Sequence, residues 1–166
     1  MYSKGYPIPH INTIRNQLAK IDCQPGILHD FIDLTELKIA TKPARDKYVS
    51  LVLDEMAISA KYVFNNKTQS FMGQPTLPPG PNLVANRMKE DPSWDQGECL
   101  ATHALNAMIA GLCGRYKVLI GVHATDNSFC PKAAAKWVRE MIQKCFDIGL
   151  IVKALVMDMG SCNQAM

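Results

Sequence analysis

The chain has 166 residues, 48% hydrophobic and 20% charged, a balance that suits one folded domain and excludes wholesale disorder. Its net charge of +3 permits contact with nucleic acid but does not argue for it. No apolar run reaches the roughly 18 residues of a membrane span, and the opening MYSKGYPIPH lacks the apolar core of a secretory leader.

Ile11, Ile14, Leu18 and Ile21 recur at helical spacing up to the break at Pro25 and Gly26. Ile27, Phe31, Leu34 and Leu37 form a second stripe, ended before Pro43. Residues 1–46 thus read as a helical lead-in. Two short helices around a Pro-Gly joint fit either a helix-turn-helix remnant or helices that pack on the rest of the chain, and packing is the preferred reading.

SLVLDEM at 50–56 predicts a strand buried on both faces in the middle of a sheet. KYVFNNKTQSFMG predicts a hairpin turning at NNKT. From Gln74 to about Ala101 the composition changes. Five of the ten prolines fall there, with Glu90, Asp91, Asp95 and Glu98, so a long irregular surface insertion is predicted. HALNAMIAGLCG and KVLIGVHA read as two more strands.

CPKAAAKWVREMIQKCFDIG is the clearest helix. Pro131 suits its first turn, Gly149 its end, and Ala134, Trp137, Val138, Met141, Ile142 and Cys145 its apolar face. LIVKALVMD is the strand after it, placed parallel to the first by a right-handed crossover. Residues 47–166 therefore predict an α/β domain: a mixed sheet with a crossover helix.

Six cysteines, at 23, 99, 113, 130, 145 and 162, include no C-x-x-C pair, and the four histidines show no zinc spacing. They read as reduced thiols of a nuclear or cytosolic protein, acting as small buried apolar residues.

Asp54 and Asp158 each follow an apolar run. If those two strands are parallel neighbours, about 4.8 Å apart, the carboxylates meet at one edge of the sheet. Alone they repel, and one takes up a proton. With Mg²⁺, which prefers carboxylate and water oxygens, they become a cation site, and a two-ion version attacks phosphodiesters in line. The competing reading is that each aspartate caps the turn after its strand. Asp126, Asp147 and Glu55 are rival acids; Glu55 should point away from Asp54, and Asp147 should be solvated at the end of its helix.

GYPIPHINTIRNQL, QPGIL, LVLDEMAI, FMG, AGLCGRYKVLIGV and GLIVKALVMDMGSCNQ, in that order, resemble the core of P-element-type transposases, the THAP-domain transposases of animals. LDEM and MDMGSCNQ are the specific parts. The resemblance implies an RNase H-like fold and a DDE/D site that uses Mg²⁺ or Mn²⁺ to cleave DNA at transposon ends and join them to target DNA. It implies that Asp54 and Asp158 are the catalytic, metal-binding aspartates. It further implies DNA as partner, a homo-oligomer, a nuclear location and no membrane.

The family's zinc-bearing THAP module and its GTP-binding insertion domain have no counterpart in these 166 residues. Its third acidic residue would fall beyond Met166. The expectation is thus an incomplete domain, the amino-terminal part of a transposase catalytic core, inactive by itself. The alternative is a domesticated, non-catalytic derivative that keeps the fold to bind DNA or a partner. Asn163, in the run D-M-G-S-C-N, is expected to shape the turn after the last strand.

Overall fold

A computed structural model describes residues 9–18, 24–66, 68–91 and 99–158. Its elements run α1 (Ile11–Leu18), β1 (Gly26–Ile27), α2 (His29–Ala40), a 3-10 turn (Ala44–Lys47), β2 (Tyr48–Ala57), β3 (Val63–Asn65), β4 (Ser70–Met72), α3 (Pro81–Glu90), β5 (His103–Gly111), β6 (Lys117–Thr125), α4 (Pro131–Asp147) and β7 (Ile151–Val156).

The main sheet has the order β1-β6-β5-β2-β7. β2, β5 and β6 are antiparallel neighbours, and β7 joins β2 in parallel. The mixed sheet and its parallel crossover through α4 are as the sequence implied. β3 and β4 form a separate two-stranded hairpin.

One face of β2 is dry. Val49, Leu51 and Leu53 alternate inward, level with Ile109 and Ala107 on β5. Against this face lies the buried stripe of α4, formed by Ala134, Trp137, Val138, Met141 and Cys145. The closest approach is at Gly121 of β6. A Cβ there would stand 2.6 Å from Trp137 Cζ2 and 3.0 Å from Met141 Sδ, so only glycine lets the indole reach the sheet. Pro131 opens α4, and Gly149, at φ +82°, closes it with Leu150 N–H bonded back to Cys145 O.

Several expectations need correction. β2 is not buried on both faces: Val52 is half-buried and Asp54 exposed. The strand also runs on to Ala57, so Asp54 sits inside it rather than at its end. In α2 the buried residues are Ile32, Thr35 and Ile39, while Leu34 and Leu37 are exposed. The Thr35 hydroxyl donates to Phe31 O, which lets a polar residue join the apolar side. Ile27 lies in β1 rather than a helix, paired with Gly121 of β6, so the lead-in is not purely helical. Ile11 and Ile14 on α1 are exposed, and Ile21 lies outside the described residues.

The proline-rich insertion is not irregular throughout. Pro81 starts α3, and Leu77 is buried in the core. On α4, Ile142 is exposed rather than core. Of the described cysteines, Cys99 and Cys145 are buried as expected, but Cys113 is exposed and Cys130 intermediate.

Candidate functional site

The register of β2 against β7 positions the two aspartates. Tyr48 pairs with Ile151 and Val49 with Val152; then Lys153 is skipped, and Ser50, Leu51 and Val52 pair with Ala154, Leu155 and Val156. Asp54 lies two residues beyond Val52, and Asp158 two beyond Val156. The extra residue at Lys153 shifts the register by one, so that the last strand pair, Val52 with Val156, stands two residues before each aspartate. Both are exposed.

Strand alternation puts Asp54 on the face opposite α4. Its cross-strand partner is Asn106, whose amide donates to Ala104 O at 3.3 Å. Glu55 points to the other face, as expected, and accepts a hydrogen bond from Thr125 Oγ1 at 3.1 Å. It is committed to bracing β2 against β6 and does not join Asp54.

The other rival acids are structural. Asp126 is 3% exposed and takes an ion pair from Arg87 Nη2 at 2.8 Å. It also accepts the Asn127 N–H at 2.7 Å. Arg87 is on α3, so this half-buried pair pins the insertion to the end of β6. Nothing in the sequence signals it, because the partners belong to segments that read as loop. Asp147 is exposed at the end of α4 and accepts from Gln143 Nε2, in keeping with a solvated acid.

Among the described residues no group of three or more His, Cys, Asp or Glu gathers to hold a metal ion. Two exposed carboxylates, Asp54 within β2 and Asp158 two residues past the end of β7, offer only hard oxygen donors, a chemistry that fits Mg²⁺ or Mn²⁺ better than softer ions. Asn163 lies outside the described residues.

The hairpin borders the same end of the sheet. Ile58 N–H bonds Thr102 O, and Ala101 N–H bonds Gly73 O, so both of its legs are tied to the chain just ahead of β5. Tyr62, Val63, Phe64 and Phe71 are all exposed on it. The sequence predicted this hairpin but gave its aromatic residues no role.

On the α4 face, His123 packs edge-on to Trp137, with ring centroids 4.6 Å apart. Its Nδ1 lies 2.8 Å from Thr76 Oγ1, which accepts the Ala124 N–H. Burial holds the pKa of His123 below its ordinary value. These contacts make it a packing histidine.

A family model described as TNP-like, RNase H N-terminal domain, matches residues 23–166. Among solved structures the chain is similar to one titled "Drosophila P element transposase strand transfer complex", with TM-score 0.64 and 19% identity over 96% of this chain. The match takes in 29% of that chain's length. At this identity the likeness shows the fold, which is RNase H-like. No curated protein sequence matches.

Proposed function

The chain belongs to the TNP-like RNase H N-terminal domain family, and from that membership we propose that it supplies two of the metal-holding carboxylates of a DNA transposase. The observation that supports this reading is the β2–β7 register, which pairs Val52 with Val156, each two residues before one of the aspartates on neighbouring parallel segments of chain. A turn-capping role would need no such alignment, and Asp54 lies within a strand rather than before a turn.

In this reading Asp54 and Asp158 bind a divalent cation through their carboxylate oxygens. Such a cation, when bound, stabilises charge on the phosphodiester and favours the deprotonated form of the attacking hydroxyl. The protein's part is to hold the two ligands rigidly. Asp54 lies in a strand paired on its β5 side, and Asp158 lies two residues past the end of the strand laid against the other side. The complete transposase would cleave DNA at the element's ends and join the freed 3′-hydroxyl to target DNA, in the nucleus, with further acidic ligand supplied from outside the described residues.

The test is a plasmid-excision assay with a full-length transposase carrying this domain. Asp54→Asn and Asp158→Asn keep the shape of the side chain and remove its charge. Each is expected to abolish excision and joining while DNA binding stays near wild type. Excision at the wild-type rate by either variant removes that aspartate from the site, whereas DNA binding with no excision by the unmutated protein favours a non-catalytic, DNA-binding derivative.

A further inference from the structure

We propose that the β3–β4 hairpin, with the cavity at its foot, is a stacking seat for an unpaired DNA base beside the Asp54 end of the sheet. The proposal rests on the transposase reading above and names the part of the DNA that this surface takes.

Three observations converge on it. The first is the hairpin's surface. Phe64 and Phe71 are a cross-strand pair whose rings meet edge to face at 5.2 Å. That contact helps a two-stranded ribbon too short to be stable by itself. It does not explain why Phe71 is left 72% exposed and Tyr62 51% exposed. Flat rings presented to solvent on a rigidly tied arm are what base stacking requires.

The second is charge. No Asp or Glu occurs between Glu55 and Glu90, whereas Lys61 and Lys67 fall in the hairpin segment. Around the aromatic residues the polar side chains are amides and hydroxyls: Asn65, Asn66, Thr68, Gln69 and Ser70. An acid-free aromatic arm with lysines complements a polyanion with exposed ring faces.

The third is position. A cavity of about 270 Å³ opens between Phe71, Met72 and Gly73 of the hairpin, Gln74 to Thr76 after it, Gln24 and Pro25, and Ala124. Ala124 pairs with Ala104, and Ala104 with Met56, two residues on from Asp54. Strand alternation therefore puts Ala124 on the face that carries Asp54. The volume falls just under that of drug-sized pockets, a size for one ring system and not for a duplex. A base drawn from the stack at a cleaved end would enter here while its phosphate lay toward the aspartates.

The test uses the 166-residue chain and short oligonucleotides, one single-stranded with 2-aminopurine at successive positions and one fully duplex. Stacking quenches 2-aminopurine emission, so the wild-type chain is expected to quench at one position. Phe71→Ala should lose that quenching and bind the single strand about 5- to 150-fold more weakly, the factor for one stacked base at ~1–3 kcal/mol. Phe71→Trp should restore both. Lys61→Ala should lower the salt slope on the single strand by about 0.7 and leave the quenching in place.

Unchanged affinity and quenching in Phe71→Ala overturns the proposal. So does binding of duplex alone, or of neither DNA, by the wild-type chain. If sedimentation shows a dimer that Phe71→Ala dissociates, with oligonucleotide affinity unchanged, the surface joins two copies and the proposal is wrong. Asp54→Asn excision is a separate readout, so the metal-site reading can fail or stand independently of the seat.

Discussion

The contact between Gly121 and Trp137 allows a quantitative test of the packing that supports β2. Trp137 is 5% exposed and sits over the glycine with no room for a methyl group. Trp137→Ala removes the largest side chain of the α4 stripe and should cost about 3–5 kcal/mol. Gly121→Ala places a Cβ 2.6 Å from Trp137 Cζ2 and 3.0 Å from Met141 Sδ, and overpacking of this kind costs about 1–3 kcal/mol. Gly121 has no left-handed backbone angle, so its cost is steric. The new methyl and the missing indole would occupy the same space. The double variant should therefore be less destabilised than the two single variants combined, with a coupling of about 1–2 kcal/mol. The remaining approach to Gly26 O, 3.2 Å from the built Cβ, keeps the rescue incomplete. Urea unfolding followed by far-UV circular dichroism measures all four corners of the cycle. Additivity within about 0.5 kcal/mol would refute the claim that Gly121 is glycine to admit Trp137. A Trp137→Ala cost below about 1 kcal/mol would show that α4 is not packed on this face.

Arg87→Ala leaves the buried Asp126 carboxylate without its cation and should destabilise by about 1–3 kcal/mol, reduced from a fully buried pair because Arg87 is one-third exposed; a loss within ~0.5 kcal/mol in the same urea assay would show that α3 is held by other contacts. The folded pKa of His123 is depressed, so below about 6.5 the unfolded chain takes up a proton that the folded chain resists, and stability should fall as pH falls through that range. His123→Gln should flatten that part of a stability–pH curve, and an unchanged slope would assign the dependence elsewhere. Cys113 is exposed, whereas burial pushes the Cys145 thiol up to about 11. Peptide mapping after brief maleimide treatment at neutral pH should find Cys113 modified well ahead of Cys145, and equal labelling would contradict the burial of α4.

The strands of the main sheet and α4 are legible in the sequence because their apolar runs are long and their ends are marked by proline and glycine. The periodicity of α2 points to the wrong face. That helix carries apolar residues on two sides, and Leu34 and Leu37 outweigh a true stripe diluted by Thr35. α3 is hidden because proline reads as a breaker, although Pro81 holds the first helical turn, where a missing N–H costs nothing. Asp54 and Asp158 can be picked out as a pair from the two apolar runs that precede them. The register of the strands that precede them cannot, since it shifts at Lys153 and the shift leaves no mark in the alternation of a short, largely exposed strand. Asp126 looks like any loop acid until the fold brings Arg87 to it from another segment.

The parallel pairing of β2 with β7 also orders events in folding. The β5–β6 hairpin closes over a short turn, and α4 forms within itself, but β7 reaches β2 only across the hairpin arm, the insertion, two strands and a helix. Contacts that distant in sequence give their return only after the intervening chain is arranged. β7 is therefore expected to dock late, in the last step. Until then β2 presents one open edge, the side on which a nascent chain is most exposed to mispairing. Val152→Ala, at the half-buried pairing position opposite Val49, should accordingly speed unfolding and leave the folding rate nearly unchanged, a φ-value near zero. A φ-value near one would mean that β7 is already in place at the transition state.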